Sequence, residues 1–191
     1  QSRRDDVTSA FGPVRQLGFV VADIDRAMDY WTGTLGVGPF FVLHDIAFDE
    51  YRYRGQSAVS PVCTFGVAQW GDMQLELIQQ ENDAPSAYRE FLSAGRSGIQ
   101  HLSTWFAGRE AYEAARARAL GQGMALVHES RSEKGRFCYF ETGTAGVPHL
   151  ELAEALLPGS KELMDRIAEA ARDWDGSDPV RVLRERRSGG K

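Results

Sequence analysis

The chain has 191 residues, of which 42% are hydrophobic, and a formal net charge of −5. This length and composition allow one large domain, or two small interlocking ones, with a real hydrophobic core. No apolar run approaches the roughly 20 residues that a membrane-spanning helix requires. The acidic balance argues against a nucleic-acid partner, because phosphate binding is driven by clustered Lys and Arg.

The two ends of the chain and its cysteines carry little functional signal. The N-terminal stretch QSRRDDVTSAFG has no apolar segment of the kind found in secretion signals, so the default expectation is a cytoplasmic protein. Cys63 and Cys138 are too few for a disulfide scaffold, and we expect both to be buried as small hydrophobic residues. A basic cluster near the C-terminus is predicted to lie in a solvated, poorly ordered tail. Its members are Arg181, Arg184, Arg186 and Arg187.

An internal repeat sets the architecture. The segment VRQLGFVVADIDRAMDYWTGTLGVG from Val14 aligns with IQHLSTWFAGREAYEAARARALGQG from Ile99 at a shift of 85 residues. A second block, VCTFGVAQWGDMQLEL, aligns with FCYFETGTAGVPHLEL at a shift of 75 residues, which pairs Cys63 with Cys138. Two ordered blocks in register indicate a duplicated module.

Each copy has the periodicity of a β-α-β-β-β unit. In the first copy the strand, the helix and the three further strands are predicted at 14–22, 24–35, 39–47, 59–70 and 72–79. Asp23 is the expected N-cap of the helix, and Gly36 is the expected stop. In the second copy the same elements are predicted near 99–107, 109–121, 123–130, 135–142 and 147–154.

The predicted organisation is therefore modular, with two additional helices. The first module, the connecting helix, the second module and the C-terminal helix with its flexible tail are placed at 12–83, 84–97, 98–157 and 158–191. Both additional helices are expected to pack over sheet edges.

Four polar residues occupy equivalent strand positions in the two copies. Glu76 and Glu151 each lie between two leucines, and a carboxylate on a sheet face is costly to bury unless it is paired or bound to metal. A solvated sheet face is the simpler interpretation of one such Glu. Two equivalent ones weaken that interpretation. Gln16 and His101 form a second equivalent pair, and together the four donors suit a divalent ion.

The repeat, the DIDRAMDYW and LGVGPF segments, and the GIQHL and HLEL blocks resemble the vicinal oxygen chelate superfamily over about residues 12–155. That group includes glyoxalase I and methylmalonyl-CoA epimerase. The resemblance implies an α+β fold in which two tandem βαβββ modules form a curved, half-barrel mixed sheet around a central cup, with the helices outside. It also implies one divalent metal ion (Zn, Co, Ni or Mn) with two ligands from each module. Residue by residue, the ligands would be Gln16, Glu76, His101 and Glu151, a set that resembles the zinc site of animal glyoxalase I.

The function implied by the resemblance is a metal-dependent isomerase, epimerase or lyase. Such an enzyme moves a proton next to a metal-polarised carbonyl of a small, fairly apolar substrate, with Glu151 as the base and Glu76 as the opposing carboxylate. One alternative is a metal-free binding protein of the bleomycin-resistance type. Another is an iron-dependent extradiol dioxygenase, which requires two His and one carboxylate. A homodimer is possible, because related folds often pair.

Strand alternation and an aromatic-rich insert in the first module supply further pocket candidates. The predicted substrate-pocket residues are Gln74, Ser103, Trp105, His149, Phe41, His44 and Tyr53. For the aromatic members, packing in the core or at a dimer contact is an equally good interpretation.

Overall fold

A computed structural model describes residues 10–96, 98–133, 135–144 and 146–186. The first part of the chain forms a βαβββ unit with a small hairpin inserted into it. In chain order its elements are β1 (Val14–Val20), α1 (Ile24–Gly33), β2 (Phe40–Ala47), β3 (Arg52–Tyr53), β4 (Gln56–Ser57), β5 (Val62–Trp70) and β6 (Met73–Gln80). No helix in these described ranges is long and apolar enough to cross a membrane.

The second part repeats the unit after a short connecting helix. Its elements are α2 (Ala87–Ser93), β7 (Ile99–Trp105), α3 (Arg109–Gly121), β8 (Ala125–Ser132), β9 (Gly135–Glu141), β10 (His149–Ala153), α4 (Pro158–Ala171) and β11 (Val180–Arg184). Asp23 caps α1 as predicted, since its carboxylate accepts a hydrogen bond from the backbone N–H of Arg26.

The strands form one open, curved mixed sheet in the order β11-β2-β5-β6-β1-β7-β10-β9-β8-β3-β4. The two modules meet where β1 and β7 pair antiparallel, with Gln16 opposite Ser103 and Gly18 opposite His101. The 85-residue shift exchanges the members of these two pairs, so a local twofold relates the modules. Four central strands, β6, β1, β7 and β10, thus carry the predicted ligands side by side.

The third and fourth strands of the two copies do not match at the shift predicted for them. Glu76 lies opposite Val67 in the first hairpin, whereas Glu151 lies opposite Tyr139 in the second. The β5 and β9 strands therefore correspond at a shift of 139 − 67 = 72 residues rather than 75. The equivalence of Cys63 and Cys138 was consequently wrong, because the turn of the second hairpin is three residues longer. Both cysteines are buried, as predicted.

Two helices cover one face of the sheet, as the fold class predicts. Ile24 and Met28 of α1 pack against Phe40, Val42, Ala68 and Leu77. Tyr112 and Ala119 of α3 pack on the equivalent part of the second module, against Cys138, Phe140 and Leu152. The apolar stripe of each helix is buried, which supplies most of a helix's stability in a protein.

The other two helices cover the cup rather than the sheet edges, which corrects the expectation for them. Ile167 of α4 is fully buried against Phe41 and Val67, which lie in the same row as Glu76. Tyr88 of α2 packs beside Val20 on that same face. These helices carry large apolar side chains that only the concave face can bury.

The edges of the sheet are covered by other means. β11 pairs parallel with β2, so Arg181 and Arg184 lie on a strand and not in the poorly ordered tail that was expected. Apolar residues of β11, including Val180, pack on the first module and order this segment. Arg187 lies outside the described residues. At the opposite edge the inserted β3 pairs with β8 of the second module, and so ties the two modules together.

Replacement of Ile167 by Ala is expected to lower the free energy of unfolding by about 2–4 kcal/mol, because it leaves a cavity between α4 and the sheet. Chemical denaturation of both proteins measures the difference. Leu120→Ala, at a half-exposed position of α3, is the matched control and should cost less than about 1 kcal/mol. An equally small effect of Ile167→Ala would contradict the packing of α4 on the cup face.

Candidate functional site

The concave face of the four central strands brings Gln16, Glu76, His101 and Glu151 together. Nε2 of His101 lies 3.5 Å from Oε2 of Glu76 and 3.6 Å from Oε2 of Glu151. Gln16 lines the same cavity as the two carboxylates. Strand alternation directs all four side chains to one face, and the pairing of β1 with β7 joins the two modules' contributions.

A hydrogen-bond relay fixes the orientation of His101. Its Nδ1–H donates to Oε1 of Gln100 over 2.8 Å, and Nε2–H of Gln100 donates to Nδ1 of His149 over 2.9 Å. This network assigns the His101 proton to Nδ1 and leaves the Nε2 lone pair facing the carboxylates. Second-sphere partners of this kind orient metal-binding imidazoles in proteins.

Gln100 was not predicted as a site residue, because alternation places it on the opposite face from its neighbour His101. The pairing of β1 and β7 contains an irregularity there: Gly18 pairs with His101 and Phe19 with Ile99, which leaves Gln100 as an extra residue. A β-bulge of this kind redirects a side chain. Its position depends on the partner strand, so the local sequence carries no signal for it.

The imidazole of His101 lies directly over Gly18. A Cβ atom added at position 18 would be 1.7 Å from Cε1 of His101, far inside van der Waals contact. The His101 side chain is itself fully buried and has no free space to move into. The first module therefore accommodates the key side chain of the second by having no side chain of its own at this point.

Gln16 is held by its neighbour on β6. Its Nε2–H donates to Oε1 of the buried Gln74 over 2.6 Å, and Nε2 of Gln74 contacts Sδ of Met164 over 2.9 Å. Because the amide nitrogen of Gln16 is used in this bond, its carbonyl oxygen is the atom left to bind a ligand.

Two tyrosines, which were not predicted, extend the network. The hydroxyl of Tyr88 donates to that of Tyr139 over 3.3 Å, and the hydroxyl of Tyr139 lies 3.3 Å from Nε2 of His101. Tyr139 is the register partner of Glu151. Strand register would have identified it, but the three-residue error in the second hairpin concealed this relation.

The electrostatics of the cluster are uncompensated. Burial raises the pKa of Glu76 to about 8, burial also raises the pKa of Glu151, and burial lowers the pKa of His101. Among the described ion pairs, the partner of each carboxylate is His101 and no Lys or Arg. Two largely buried carboxyl groups thus face an imidazole that favours its neutral form, an arrangement in which a cation would supply the missing charge.

The donor set was compared with the geometry of a bound ion. Donor atoms about 2.0–2.2 Å from a four-coordinate Zn²⁺ lie roughly 3–3.5 Å from one another, close to the 3.5 and 3.6 Å measured around His101. Within the described ranges, however, no three His, Cys, Asp or Glu side chains form a closed metal cluster. The set is chemically suitable but open, and an ion would have to draw the carboxylates and the Gln16 amide together.

The cluster opens into a cavity of about 700 Å³, a volume typical of small-molecule sites. Gln16, Glu76 and Glu151 lie in its wall beside Trp105, a predicted pocket residue. A second, apolar cavity of about 240 Å³ adjoins it and shares both carboxylates. We call this smaller cavity the inner compartment.

The other predicted pocket residues lie in different places. Ser103 is fully buried and pairs with Gln16 and Glu151 in the sheet. Gln74 is buried under Gln16, and His149 lines a separate polar cavity on the far side of Gln100.

Three aromatic candidates from the first module do not line the main cavity, because other packing takes them elsewhere. Phe41 lies beneath α4 in a small apolar cluster. Nδ1 of His44 lies 3.3 Å from the hydroxyl of Thr64. The hydroxyl of Tyr53 donates to Glu90 at the end of the molecule near α2.

The chain was compared with known proteins. The family model of the glyoxalase/bleomycin resistance protein/dioxygenase superfamily matches residues 15–140. Methylmalonyl-CoA epimerase from Mycobacterium tuberculosis has 20% sequence identity and a TM-score of 0.51, over 78% of this chain and 92% of that chain. A hypothetical protein from Bacillus halodurans has 12% identity and a TM-score of 0.49, over 74% and 92% of the two chains. The comparison with curated proteins found no match. At these identities the structural likeness shows the fold alone.

The contact of Gly18 with His101 predicts that Gly18→Ala lowers the free energy of unfolding by at least about 2 kcal/mol, since the imidazole has to move. Thermal and chemical denaturation measure the loss, and the His101 ring resonances should shift. Gly33→Ala is the matched control, because a Cβ there meets no atom within 4 Å, and it should be neutral or slightly stabilising. Equal stability of the two variants would rule out the tight contact.

The raised pKa of Glu76 predicts a pH-dependent stability in chelator-treated protein. The folded protein holds this proton up to about pH 8, whereas the unfolded chain loses it near 4.5. The free energy of unfolding contributed by Glu76 is therefore full below about pH 4.5 and falls as the pH rises to about 8. Denaturation at several pH values should show that Glu76→Gln removes at least about 1 kcal/mol of this dependence. Exposed Glu162→Gln is the control, and a wild-type slope in both variants would contradict the shift.

Proposed function

Because the chain belongs to the glyoxalase/bleomycin resistance protein/dioxygenase superfamily, we propose that it is a metal-dependent isomerase, epimerase or lyase. Its reaction would be a proton transfer next to a carbonyl of a small oxygenated substrate. The observation that carries this proposal is the convergence of Glu76 and Glu151 on Nε2 of His101, at repeat-equivalent positions of the two modules. The superfamily alone would not name an activity, because one fold supports many reactions.

The proposed metal ligands are the carbonyl oxygen of Gln16, the carboxylates of Glu76 and Glu151, and Nε2 of His101. A divalent ion bound by these groups would polarise the substrate carbonyl and stabilise negative charge that develops on its oxygen. The relay through Gln100 supports this assignment, since it presents the lone pair of Nε2 and not a proton.

The two carboxylates are the proposed proton-transfer groups. Glu151 is assigned as the base that removes the proton beside the carbonyl, and Glu76 as the opposing carboxylate. Burial raises the pKa of both groups toward the neutral range, where a carboxyl group both accepts and returns a proton efficiently. Their low exposure, 16% for the side chain of Glu76 and 10% for that of Glu151, also keeps bulk water from exchanging the proton during transfer.

A metal-free binding protein is the second candidate. The observation that favours it is the open donor set, since no three His, Cys, Asp or Glu side chains form a closed cluster in the described part of the chain. A ring-cleaving dioxygenase has less support. Its iron requires two imidazoles, and His149 lies in a separate cavity with Nδ1 bonded to Gln100.

The decisive measurement is the metal content of protein purified without chelator. We expect about one equivalent of a divalent metal per chain in the wild type, and its loss in the His101→Ala, Glu151→Ala double variant, because two of the four donors are removed. His44→Ala is the matched control, since it deletes a histidine outside the cluster and should retain the metal. A metal-free wild type that also fails to take up Zn²⁺, Co²⁺, Mn²⁺ or Ni²⁺ would exclude the metal-dependent enzyme and favour the binding protein.

The role of Glu151 is tested in the metal-loaded enzyme. Deuterium incorporation from D₂O into acyl-CoA and 2-oxo compounds identifies a substrate. Glu151→Gln should then slow the exchange by roughly 10²–10⁴-fold, the usual contribution of a general base. Circular dichroism and metal analysis of the variant separate loss of the base from loss of the fold or the ion. Exchange at the wild-type rate would remove Glu151 as the base.

A further inference from the structure

The inner compartment is an apolar space adjacent to the reacting groups. Its volume is about 240 Å³, and its walls are hydrophobic apart from Glu76 and Glu151 and the tyrosine hydroxyls. Aromatic rings dominate the wall on the side of the sheet, with Phe48, Phe65 and Phe137 packed together. The Phe48 and Phe137 ring centroids are 4.8 Å apart in an edge-to-face arrangement. Protein interiors contain few voids larger than a water molecule, so a void of this size beside two carboxylates requires an explanation.

The wall opposite the sheet is supplied by segments that do not belong to the duplicated unit. Leu163 and Ile167 come from α4, which follows the second module, and Phe48 comes from the insert after β2. The repeat thus provides the donor cluster, and the additional segments provide the apolar enclosure next to it. Such a division separates the groups that react from the groups that select a ligand.

The volume decides what fits. An engineered apolar cavity of about 150 Å³ lined by Leu, Ile and Phe stays dry and binds benzene. The inner compartment is larger, at about 240 Å³, and its lining is of the same kind. A methyl group would leave most of this space empty, whereas a phenyl or similar ring would fill it and contact the three phenylalanines.

The compartment is continuous with the main cavity through shared walls. Phe48, Phe137, Met164 and both carboxylates line both spaces. One ligand can therefore place its oxygen atoms at the carboxylates, an apolar substituent in the inner compartment, and the rest of the molecule in the larger cavity. The substituent must be attached at or next to the oxygenated carbon, because both carboxylates lie in the compartment wall.

From this arrangement we infer that the ligand is a small oxygenated compound with a ring-sized apolar substituent, aryl or branched alkyl, at or beside the oxygenated carbon. The substituent binds in the inner compartment under α4, and Leu163 and Val67 set its size limit. This inference rests on the proposed function for the position of the oxygen atoms at Glu76 and Glu151. It does not depend on it for the apolar selection.

Mandelate and lactate are the test probes. They share a 2-hydroxy acid group and differ in having a phenyl or a methyl substituent. Titration calorimetry with Zn²⁺-loaded and with chelator-treated protein measures both affinities. We expect mandelate to bind at least about tenfold more tightly than lactate in both forms, because the difference comes from burial of the ring.

Variants that fill the compartment locate the selectivity. Leu163→Phe should lower the affinity for mandelate at least about tenfold and leave the affinity for lactate within about twofold, since it places a ring where the ligand ring would bind. Val67→Phe fills the same space from the sheet and gives an independent test if the first variant disturbs α4. Leu120→Phe, at a half-exposed site on α3, is the matched control and should change neither affinity.

The outcomes separate this inference from the proposed function. A mandelate preference that persists in chelator-treated protein, together with no metal uptake, supports the compartment and excludes the metal-dependent enzyme. Metal uptake and proton exchange with equal affinities for mandelate and lactate overturn the compartment and leave the enzyme intact. No detectable binding of either probe, or a mandelate affinity unchanged by both filling variants, also overturns the inference.

Discussion

The site depends on one contact between the modules, the packing of the His101 ring on the bare backbone of Gly18. Since β1 and β7 pair antiparallel about a local twofold, the first strand of each module faces the other at this point. A side chain at position 18 would occupy the space of the imidazole. The absence of a Cβ there lets the modules approach closely enough for Glu76 and Glu151 to lie within 3.6 Å of one nitrogen atom.

This close approach creates an electrostatic cost, which the surrounding network organises. Burial raises the pKa of both carboxyl groups and lowers that of His101, so the cluster has no internal charge balance. The relay through Gln100 holds the imidazole in the tautomer that accepts, and Tyr139 provides a hydroxyl to that same lone pair. The cluster is thus arranged for an electrophile, whether a metal ion or the proton of a ligand.

The segments added to the duplicated unit have a separate task. α4 and α2 bury apolar side chains on the concave face, and the β3–β4 hairpin from the first module pairs with the outer strand of the second. Together they convert an open cup into a main cavity with an apolar inner compartment. A change in these segments alters the enclosure without altering the donor set, because the donors lie on the four central strands.

Periodicity and duplication in the sequence determined the two βαβββ units, the face of each central strand, and the grouping of Gln16, Glu76, His101 and Glu151 as equivalent pairs. These properties are local or follow from symmetry, so one chain suffices to predict them. Only the tertiary structure decided the register of the second hairpin, the bulge that turns Gln100 inward, and the burial of α4 in the cup. Each depends on turn length or on which of two apolar surfaces packs better, and such choices are made between segments distant in the chain.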